Sequence, residues 1–110
     1  MSIEKTKIQM RKGVLEYCIL KILSFQEAYP SEILEILKNA DLIVVEGTVY
    51  PLLSRLKNEG YLSYRWEESS GGPPRKYFQL TPEGKTFLKE LENSWNNLKI
   101  AVDKIQNLKK

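Results

Sequence analysis

The chain has 110 residues, of which 42% are hydrophobic and 28% charged, and 17 basic against 14 acidic side chains give a formal charge of +3. This size and balance predict one globular domain with an appendage, and the weak positive charge permits nucleic-acid binding without indicating it. Histidine is absent and Cys18 is the single cysteine, which excludes a histidine-based catalytic triad, a zinc site of histidines or paired cysteines, and a disulfide within one chain.

The N-terminal part of the chain predicts two amphipathic helices. Residues 1–12 are basic and are interpreted as a solvated terminus, with an arm that tracks DNA as the alternative. Residues 14–25 carry apolar side chains at helical spacing, and Cys18 among them is interpreted as a small core residue. A second helix is expected to begin near Pro30 or Ser31 and to end near Asn39, and residues 41–46 are expected to form a short extended connection.

Residues 47–60 predict a short helix with two different faces. Pro51 is tolerated only in the first turn, so the helix is expected to begin near Gly47 or Thr48, and Gly60 is a left-handed stop at its end. The apolar residues follow i, i+3, i+4 and i+7 spacing and predict a core stripe: Val49, Leu52, Leu53 and Leu56. The polar residues fall on the remaining face: Thr48, Tyr50, Ser54, Arg55, Lys57 and Asn58.

The next segment predicts a β-hairpin. Residues 61–68 alternate, with Leu62, Tyr64 and Trp66 on the side expected to be buried. The sequence Ser-Ser-Gly-Gly-Pro-Pro at 69–74 predicts a turn, and residues 75–80 resume a strand, so Arg75 and Lys76 flank the tip. A helix followed by such a hairpin is the order of a winged helix-turn-helix, and the expected fold class is mainly α with a small β-hairpin (α+β).

The last segment predicts one long helix, capped by Thr81 with Pro82 at its first position. Its apolar residues form an unbroken heptad seam: Leu88, Leu91, Trp95, Leu98, Val102 and Ile105. A helix over 82–108 would be roughly 40 Å long at about 1.5 Å per residue, longer than so small a core can cover. We therefore predict a homodimer with these residues at its interface, a DNA-binding domain at 1–80 and a dimerisation helix at 81–110. The alternative is that the whole seam packs on its own domain.

No pattern in the sequence indicates catalysis. The adjacent carboxylates of Glu67 and Glu68 point to opposite sides of a predicted strand, and Gly71 and Gly72 precede two prolines where a phosphate loop would precede a helix. We therefore predict that the protein is not an enzyme and has no cofactor and no metal site. The N-terminus lacks a secretory pattern, and no apolar run approaches the roughly 20 residues that span a bilayer, so we expect a cytoplasmic protein without membrane contact.

Taken together, these motifs resemble the PadR-like transcriptional regulators, specifically the short class with one C-terminal helix. The resemblance covers nearly the whole chain and is carried by Gly-Val-Leu-Glu-Tyr-Cys-Ile-Leu (13–20), Gly-Thr-Val-Tyr-Pro-Leu-Leu-Ser-Arg-Leu (47–56), Asn-Glu-Gly-Tyr-Leu (58–62) and Arg-Lys-Tyr-Phe-Gln-Leu-Thr-Pro-Glu-Gly (75–84). It implies a dimeric winged-helix repressor whose third helix enters the major groove of double-stranded DNA while the wing follows the adjacent backbone. Pro30 and Ser31 stand where the family usually has Gly-Tyr, and Ser54 where it often has a basic residue, which implies a weaker contact there.

Two sets of site residues follow from this reading. The residues expected to contact DNA are Thr48, Tyr50, Ser54, Arg55, Lys57, Arg75 and Lys76. Some short members of the family bind flat aromatic compounds between paired tryptophans, which implies a ligand site at Trp95, with Tyr17 and Lys21 lining or plugging it. Alternatively, Trp95 fills the interface, Tyr50 is partly buried against the wing, and Lys57 is an uninvolved surface charge. The competing function is a winged-helix module that binds protein and not specific DNA.

Overall fold

A computed structural model describes residues 2–42 and 44–109 of the chain. These residues form a mainly helical α+β fold, as predicted, in the order α1 (Ile3–Phe25), α2 (Pro30–Asn39), α3 (Glu46–Asn58), β1 (Leu62–Glu67), β2 (Arg75–Leu80) and α4 (Pro82–Gln106). Met1, in the predicted terminus, and Ile43, in the predicted connection, lie outside the described residues. None of the helices described is long and apolar enough to cross a membrane.

Helix α1 begins at Ile3, whereas the apolar pattern predicted a start at residue 14. The helix is therefore eleven residues longer at its N-terminal end than predicted. The added turns are rich in Lys, Gln, Met and Arg, which have high helix propensity, and an ion pair of 3.7 Å joins Lys7 to Glu4 one turn earlier. Their side chains are almost all exposed. The basic segment is thus helical, and its exposed side chains fit both a solvated terminus and an arm that tracks DNA.

The ends of α2 and α3 are fixed by local hydrogen bonds. Pro30 occupies the first position of α2, and the carboxylate of Glu32 accepts the backbone N–H of Tyr29 at 3.1 Å. Gly60 has a φ of +89° after α3, as its sequence position predicted. Its N–H donates to the Lys57 carbonyl at 3.0 Å, and the Tyr61 N–H donates to the Leu56 carbonyl at 3.0 Å. These two bonds make a Schellman motif that ends the helix.

The start of α3 differs from the prediction. The helix begins at Glu46, before the predicted Gly47 or Thr48, so Pro51 falls in its second turn and not in its first. The N–H of Thr48 donates to the carbonyl of Val45, three residues back, at 2.9 Å. The first turn is therefore tight, and the missing proline N–H removes one bond from the second turn.

The hairpin is held to the helices at one end and projects from them at the other. Its strands pair in antiparallel register from Leu62 opposite Leu80 to Glu67 opposite Arg75. Ala28, between α1 and α2, exchanges backbone hydrogen bonds of 3.1 and 2.8 Å with Phe78 of β2. The prediction that Trp66 lies on a buried side is wrong, because its side chain is 60% exposed. The far half of the hairpin extends past the core.

The core joins α1, α2, α3, the base of the hairpin and the first turns of α4. Its buried residues are Leu15, Ile19, Leu20, Leu23, Ala28, Ile33, Leu37, Val49, Leu53, Leu56, Leu62, Phe78 and Leu88. Cys18 was predicted to be a core residue, but it is half-buried and packs against the outside of this core, where burial raises the pKa of its thiol.

The predicted seam of α4 divides into two parts. Leu88 lies in the core of its own chain, and Leu91 packs partly against that core, so the prediction of Leu88 as a dimer contact is wrong. The first turns of α4 lie against α1 and the hairpin, and Leu88 is only 6% exposed, which leaves little surface for a partner. Further along, the seam residues Leu98, Val102 and Ile105 are 53%, 45% and 67% exposed, so about half or more of each side chain is open to solvent.

Candidate functional site

The polar residues of α3 divide between two sides of the helix. Tyr50 and Ser54, one turn apart, line a groove of about 400 Å³ together with Arg75 and Lys76 of the wing. Thr48 instead lines a different groove beside the N-terminal half of α1. Four of the residues predicted to contact DNA therefore come together on one surface, which we call the α3–wing groove.

The α3–wing groove has three walls. Tyr29, Pro30 and Ser31, at the start of α2, form one wall and Trp66, on β1, joins the wing wall. The complete lining is Tyr29, Pro30, Ser31, Tyr50, Leu53, Ser54, Trp66, Pro74, Arg75, Lys76 and Phe78. The groove thus combines hydroxyl groups, two cations and the faces of several aromatic rings.

The basic side chains of the groove are held over aromatic rings. The Arg75 guanidinium lies 4.5 Å from the centroid of the Tyr29 ring. The Lys76 ammonium lies 4.5 Å from the Tyr64 centroid and 5.1 Å from the Trp66 centroid. A ring face attracts a cation without neutralising it, so these contacts orient the two charges while leaving them available to an anionic ligand.

Lys57 lies on the same hairpin-facing side of α3. Its ammonium is 5.7 Å from the Tyr64 centroid, so it shares this ring with Lys76. The side chain is exposed. Three predicted contact residues, Lys57, Arg75 and Lys76, thus place positive charge along one edge between α3 and the wing.

Arg55 has a different environment from the other predicted contact residues. Its guanidinium donates to the Glu59 carboxylate at 2.6 Å and to the Glu16 carboxylate of α1 at 3.0 Å. These carboxylates, Glu16 foremost, raise the pKa of Arg55. Both terminal nitrogens of the side chain therefore already have anionic partners within the protein.

Sequence reasoning missed three residues that shape the groove or the wing. Tyr29 and Trp66 support the wing cations. The third residue is Arg65, which donates two hydrogen bonds to the Glu27 carboxylate, one of them 3.1 Å long. The Arg65 guanidinium also lies 4.9 Å from the centroid of the Tyr77 ring. Strand alternation placed Arg65 on an exposed face but gave no sign of Glu27, which is 38 residues away. The density of aromatic and basic residues at 61–77 was the available signal.

The predicted ligand residues come together only in part. The rings of Tyr17 and Trp95 are 6.4 Å apart between centroids and tilted by 32°. Trp95 lines a cavity of about 570 Å³ between α1 and α4 with Met10, Val14, Leu98 and Val102 among its walls. Lys21 is absent from that lining. It forms an ion pair of 3.6 Å with Glu92 and, like Tyr17, lines another cavity of about 340 Å³ beside α2.

Acidic residues and Cys18 are too scattered to hold a metal: across residues 2–42 and 44–109 no three of them gather into a cluster. The groove's chemistry is instead that of recognition. It presents hydrogen-bond donors, fixed cations and apolar ring faces.

Comparison with known proteins gives consistent results. The profile of the transcriptional regulator PadR-like family matches residues 19–90. A PadR-like transcription factor from Bacteroides fragilis is 58% identical, with 92% of this chain and 98% of that chain covered and a TM-score of 0.76. A PadR-like transcriptional regulator from Bacillus cereus is 38% identical, with 92% of this chain and 99% of that chain covered and a TM-score of 0.79. Bacillus subtilis PadR in complex with operator DNA is 27% identical, with 71% of this chain and 46% of that chain covered and a TM-score of 0.66.

Proposed function

Because the chain belongs to the PadR-like family of transcriptional regulators, we propose that it is a dimeric, sequence-specific DNA-binding repressor. The family and its structural neighbours are regulators and not enzymes, which confirms the prediction that the protein is not an enzyme. As a regulator acting on bacterial or archaeal DNA, it would work in the cytoplasm. Residues 1–80 would form the DNA-binding domain and residues 81–110 the dimerisation helix, with the first turns of α4 serving both.

The observation that carries the proposal is the α3–wing groove. The exposed ring of Tyr50 and the hydroxyl of Ser54 on α3 lie beside Arg75 and Lys76 of the wing. A helix that enters the major groove needs hydrogen-bonding groups towards the bases, and a wing beside it needs cations towards the phosphates. B. subtilis PadR, which shares this fold, forms a complex with operator DNA.

Dimer formation is supported by the exposed apolar surface of the second half of α4. Leu98, Val102 and Ile105 follow the seam, and Ile105 is 67% exposed. Exposed large apolar residues also lie on the N-terminal half of α1, at Ile3, Ile8 and Met10. A surface of this kind in a chain of this size is typical of an interface. We propose that a second copy covers it and brings two α3–wing grooves to successive half-sites.

Release by a small aromatic ligand is the finer part of the proposal. The cavity beside Trp95 is lined by apolar side chains of α1 and α4 together with polar ones such as Lys99 and Asp103, and the Tyr17 ring lies next to the indole. A planar compound stacked there would alter the packing of α4 on α1 and thereby the spacing of the two DNA-binding domains. Quenching of tryptophan fluorescence by a planar dye should be lost in Trp95→Ala and retained in Trp66→Ala, whereas equal quenching in both variants would discard the site.

The principal test is fluorescence anisotropy of the protein titrated into a labelled duplex from upstream of its own gene, beside a scrambled duplex, at two salt concentrations. We expect tight binding to the first duplex, weaker binding to the second, and a loss with salt, because phosphate contacts release counterions. Equal, weak binding to both would point to an operator elsewhere or to a module that binds protein. A selection from random or genomic duplexes then separates these two, since an operator elsewhere would still be enriched.

A further inference from the structure

Arg55 lies on α3, the helix proposed to face DNA, and its side chain forms an ion pair with a residue of α1. One terminal nitrogen donates to Glu59, a turn later on α3, and the other to Glu16 on α1. The Arg55 side chain is 50% exposed, while that of Glu16 is 28% exposed. The contact between α1 and α3 is therefore partly shielded from water.

This contact differs in kind from the core packing around it. Val49, Leu53 and Leu56 are buried and fix how closely α3 approaches the other elements, but the hydrophobic effect that drives this packing is not directional. The guanidinium is planar, and each of its two terminal nitrogens donates to a different carboxylate, so the relative positions of the three groups are defined. Such a pair can set the rotation of α3 about its own axis, which decides where Tyr50 and Ser54 point.

Helix α1 is also tied to α4 next to the same position. Tyr17, the residue after Glu16, lies against Trp95, and Lys21 pairs with Glu92. Helices α3 and α4 thus contact α1 through consecutive residues, Glu16 and Tyr17. A shift of α1 against α4 would be transmitted to α3 through Glu16 and Arg55.

We infer that Glu16 and Arg55 form a clip between α1 and α3 that sets the orientation of the DNA-reading face, so that Arg55 is a positioning residue and does not itself contact DNA. This inference rests on the proposed function and deepens it. The inference and direct reading of DNA by Arg55 predict different results in several measurements, because in the clip Glu16 and Glu59 already hold one N–H of each terminal nitrogen of Arg55.

The first variants separate the clip from the neighbouring intrahelical pair. Glu16→Gln removes the charge of the α1 partner, and Glu59→Gln, which pairs with the same arginine within α3, is the matched control. We expect Glu16→Gln to weaken binding to the specific duplex by roughly three- to tenfold, and Glu59→Gln to change it by less than about twofold. Tighter binding by Glu16→Gln would mean that Glu16 withholds Arg55 from DNA, and would overturn the inference.

The second measurement exchanges the charges. Glu16→Arg combined with Arg55→Glu is made in the Glu59→Gln background, so that the new glutamate meets no like charge one turn away. An ion pair between α1 and α3 can form whichever helix carries the positive charge. The exchange should therefore restore affinity to within about threefold of the Glu59→Gln protein, whereas Glu16→Arg alone and Arg55→Glu alone should bind DNA weakly. A carboxylate cannot replace an arginine that donates to a guanine or a phosphate. Failure of the exchange in a protein with unchanged circular dichroism would overturn the clip.

The salt dependence of binding gives an independent reading. Removal of one phosphate contact lowers the slope of log affinity against log salt by about 1. Arg55→Ala should weaken binding with an unchanged slope if Arg55 positions the helix, and a slope lower by about 1 would assign it to a phosphate.

Failure of the proposed function itself would look different. In that case the parent protein would bind no duplex specifically, whereas Glu16 and Arg55 would still show coupling in a double-mutant cycle of thermal unfolding midpoints, made from Glu16→Gln, Arg55→Ala and the double variant. Absence of coupling in the unfolding cycle would overturn the clip whatever the DNA results.

Discussion

Gly84 lies directly against the backbone carbonyl of Tyr61, so close that a Cβ at position 84 would overlap the carbonyl oxygen and carbon. Three residues later on α4, the ring of Phe87 stacks on the ring of Tyr61 with 4.0 Å between centroids and 4° between planes. The first turn of α4 is thus pressed onto the residue that joins α3 to the hairpin.

Gly84→Ala should destabilise the fold by about 1 to 3 kcal/mol, because the neighbouring atoms are backbone and cannot move aside as a side chain would. Thermal or urea unfolding of the two proteins measures this. Gly13→Ala is the matched control, since a Cβ there meets nothing within 4 Å and Gly13 lies inside α1. That change should stabilise by about 0.5 to 1 kcal/mol. Equal effects at the two positions would contradict the close approach.

The ion pair of Glu27 with Arg65 predicts a dependence of stability on pH. The hydrogen bond from Arg65 lowers the pKa of Glu27 below its ordinary value of 4.5. A lowered pKa in the folded state means that the carboxylate stabilises the fold above pH 4.5 and loses this contribution as the pH falls through the folded-state pKa. Glu27→Gln should therefore lower the unfolding midpoint at pH 7, and the difference from the parent should disappear in stronger acid.

Glu35→Gln on the exposed side of α2 is the control for this pH series. It removes one carboxylate at a different position and therefore shows how far the loss of a single negative charge alone moves the unfolding midpoint. A Glu27→Gln difference that persisted unchanged at pH 2 would show that lost packing, and not the ionised pair, is responsible.

The wing cations should account for part of the salt dependence of DNA binding. Arg75→Ala and Lys76→Ala should each lower the slope of log affinity against log salt by about 1, since each removes a cation of the α3–wing groove. Specific and scrambled duplexes should be affected alike, because phosphate contacts carry no sequence information. Lys89→Ala on α4 is the control, because it removes one positive charge at a position outside this groove. A change of slope in Lys89→Ala equal to that in Arg75→Ala would disprove the proposal that the wing cations contact phosphates.

The second half of α4 should fail to associate when a charge is placed on its seam. Val102→Glu should raise the dissociation constant of the dimer at least tenfold, because a carboxylate would be buried against apolar side chains of the partner. Ile100→Glu is the control, as Ile100 is also exposed on α4 but lies off the seam. Sedimentation velocity at micromolar concentration distinguishes monomer from dimer, and an undisturbed dimer in Val102→Glu would locate the interface elsewhere.

Elements marked by local signals could be predicted well from the sequence. Thr81 accepts the N–H of Gly84 at 3.0 Å as the predicted N-cap of α4, and Gly60 ends α3 in the predicted left-handed conformation. Such signals depend on the chemistry of a few adjacent residues. The N-terminal turns of α1 were harder to predict, because their helical conformation comes from propensity with no apolar stripe to reveal it.

Features that depend on distant residues could not be predicted in the same way. Strand alternation correctly put Trp66 on the side of Tyr64, but alternation does not show how far the core extends along the hairpin, and the Trp66 side chain is 60% exposed. Leu88 continues the heptad seam, yet the seam does not show where the core ends and free surface begins. The partner of Arg55 on α1 is 39 residues away, and no spacing rule connects Arg55 with Glu16.

Thr81 joins the end of α3 to the start of α4. Its hydroxyl donates to the carbonyl of Gly60 at 2.6 Å, and its N–H donates to the carbonyl of Tyr61 at 3.1 Å. The direction of α4 is consequently fixed relative to the helix that would read DNA. In a dimer built on α4, the crossing angle of the two α4 helices would then determine the number of base pairs between operator half-sites. Substitutions that change this angle, and leave every residue near the bases untouched, should select operators of a different length.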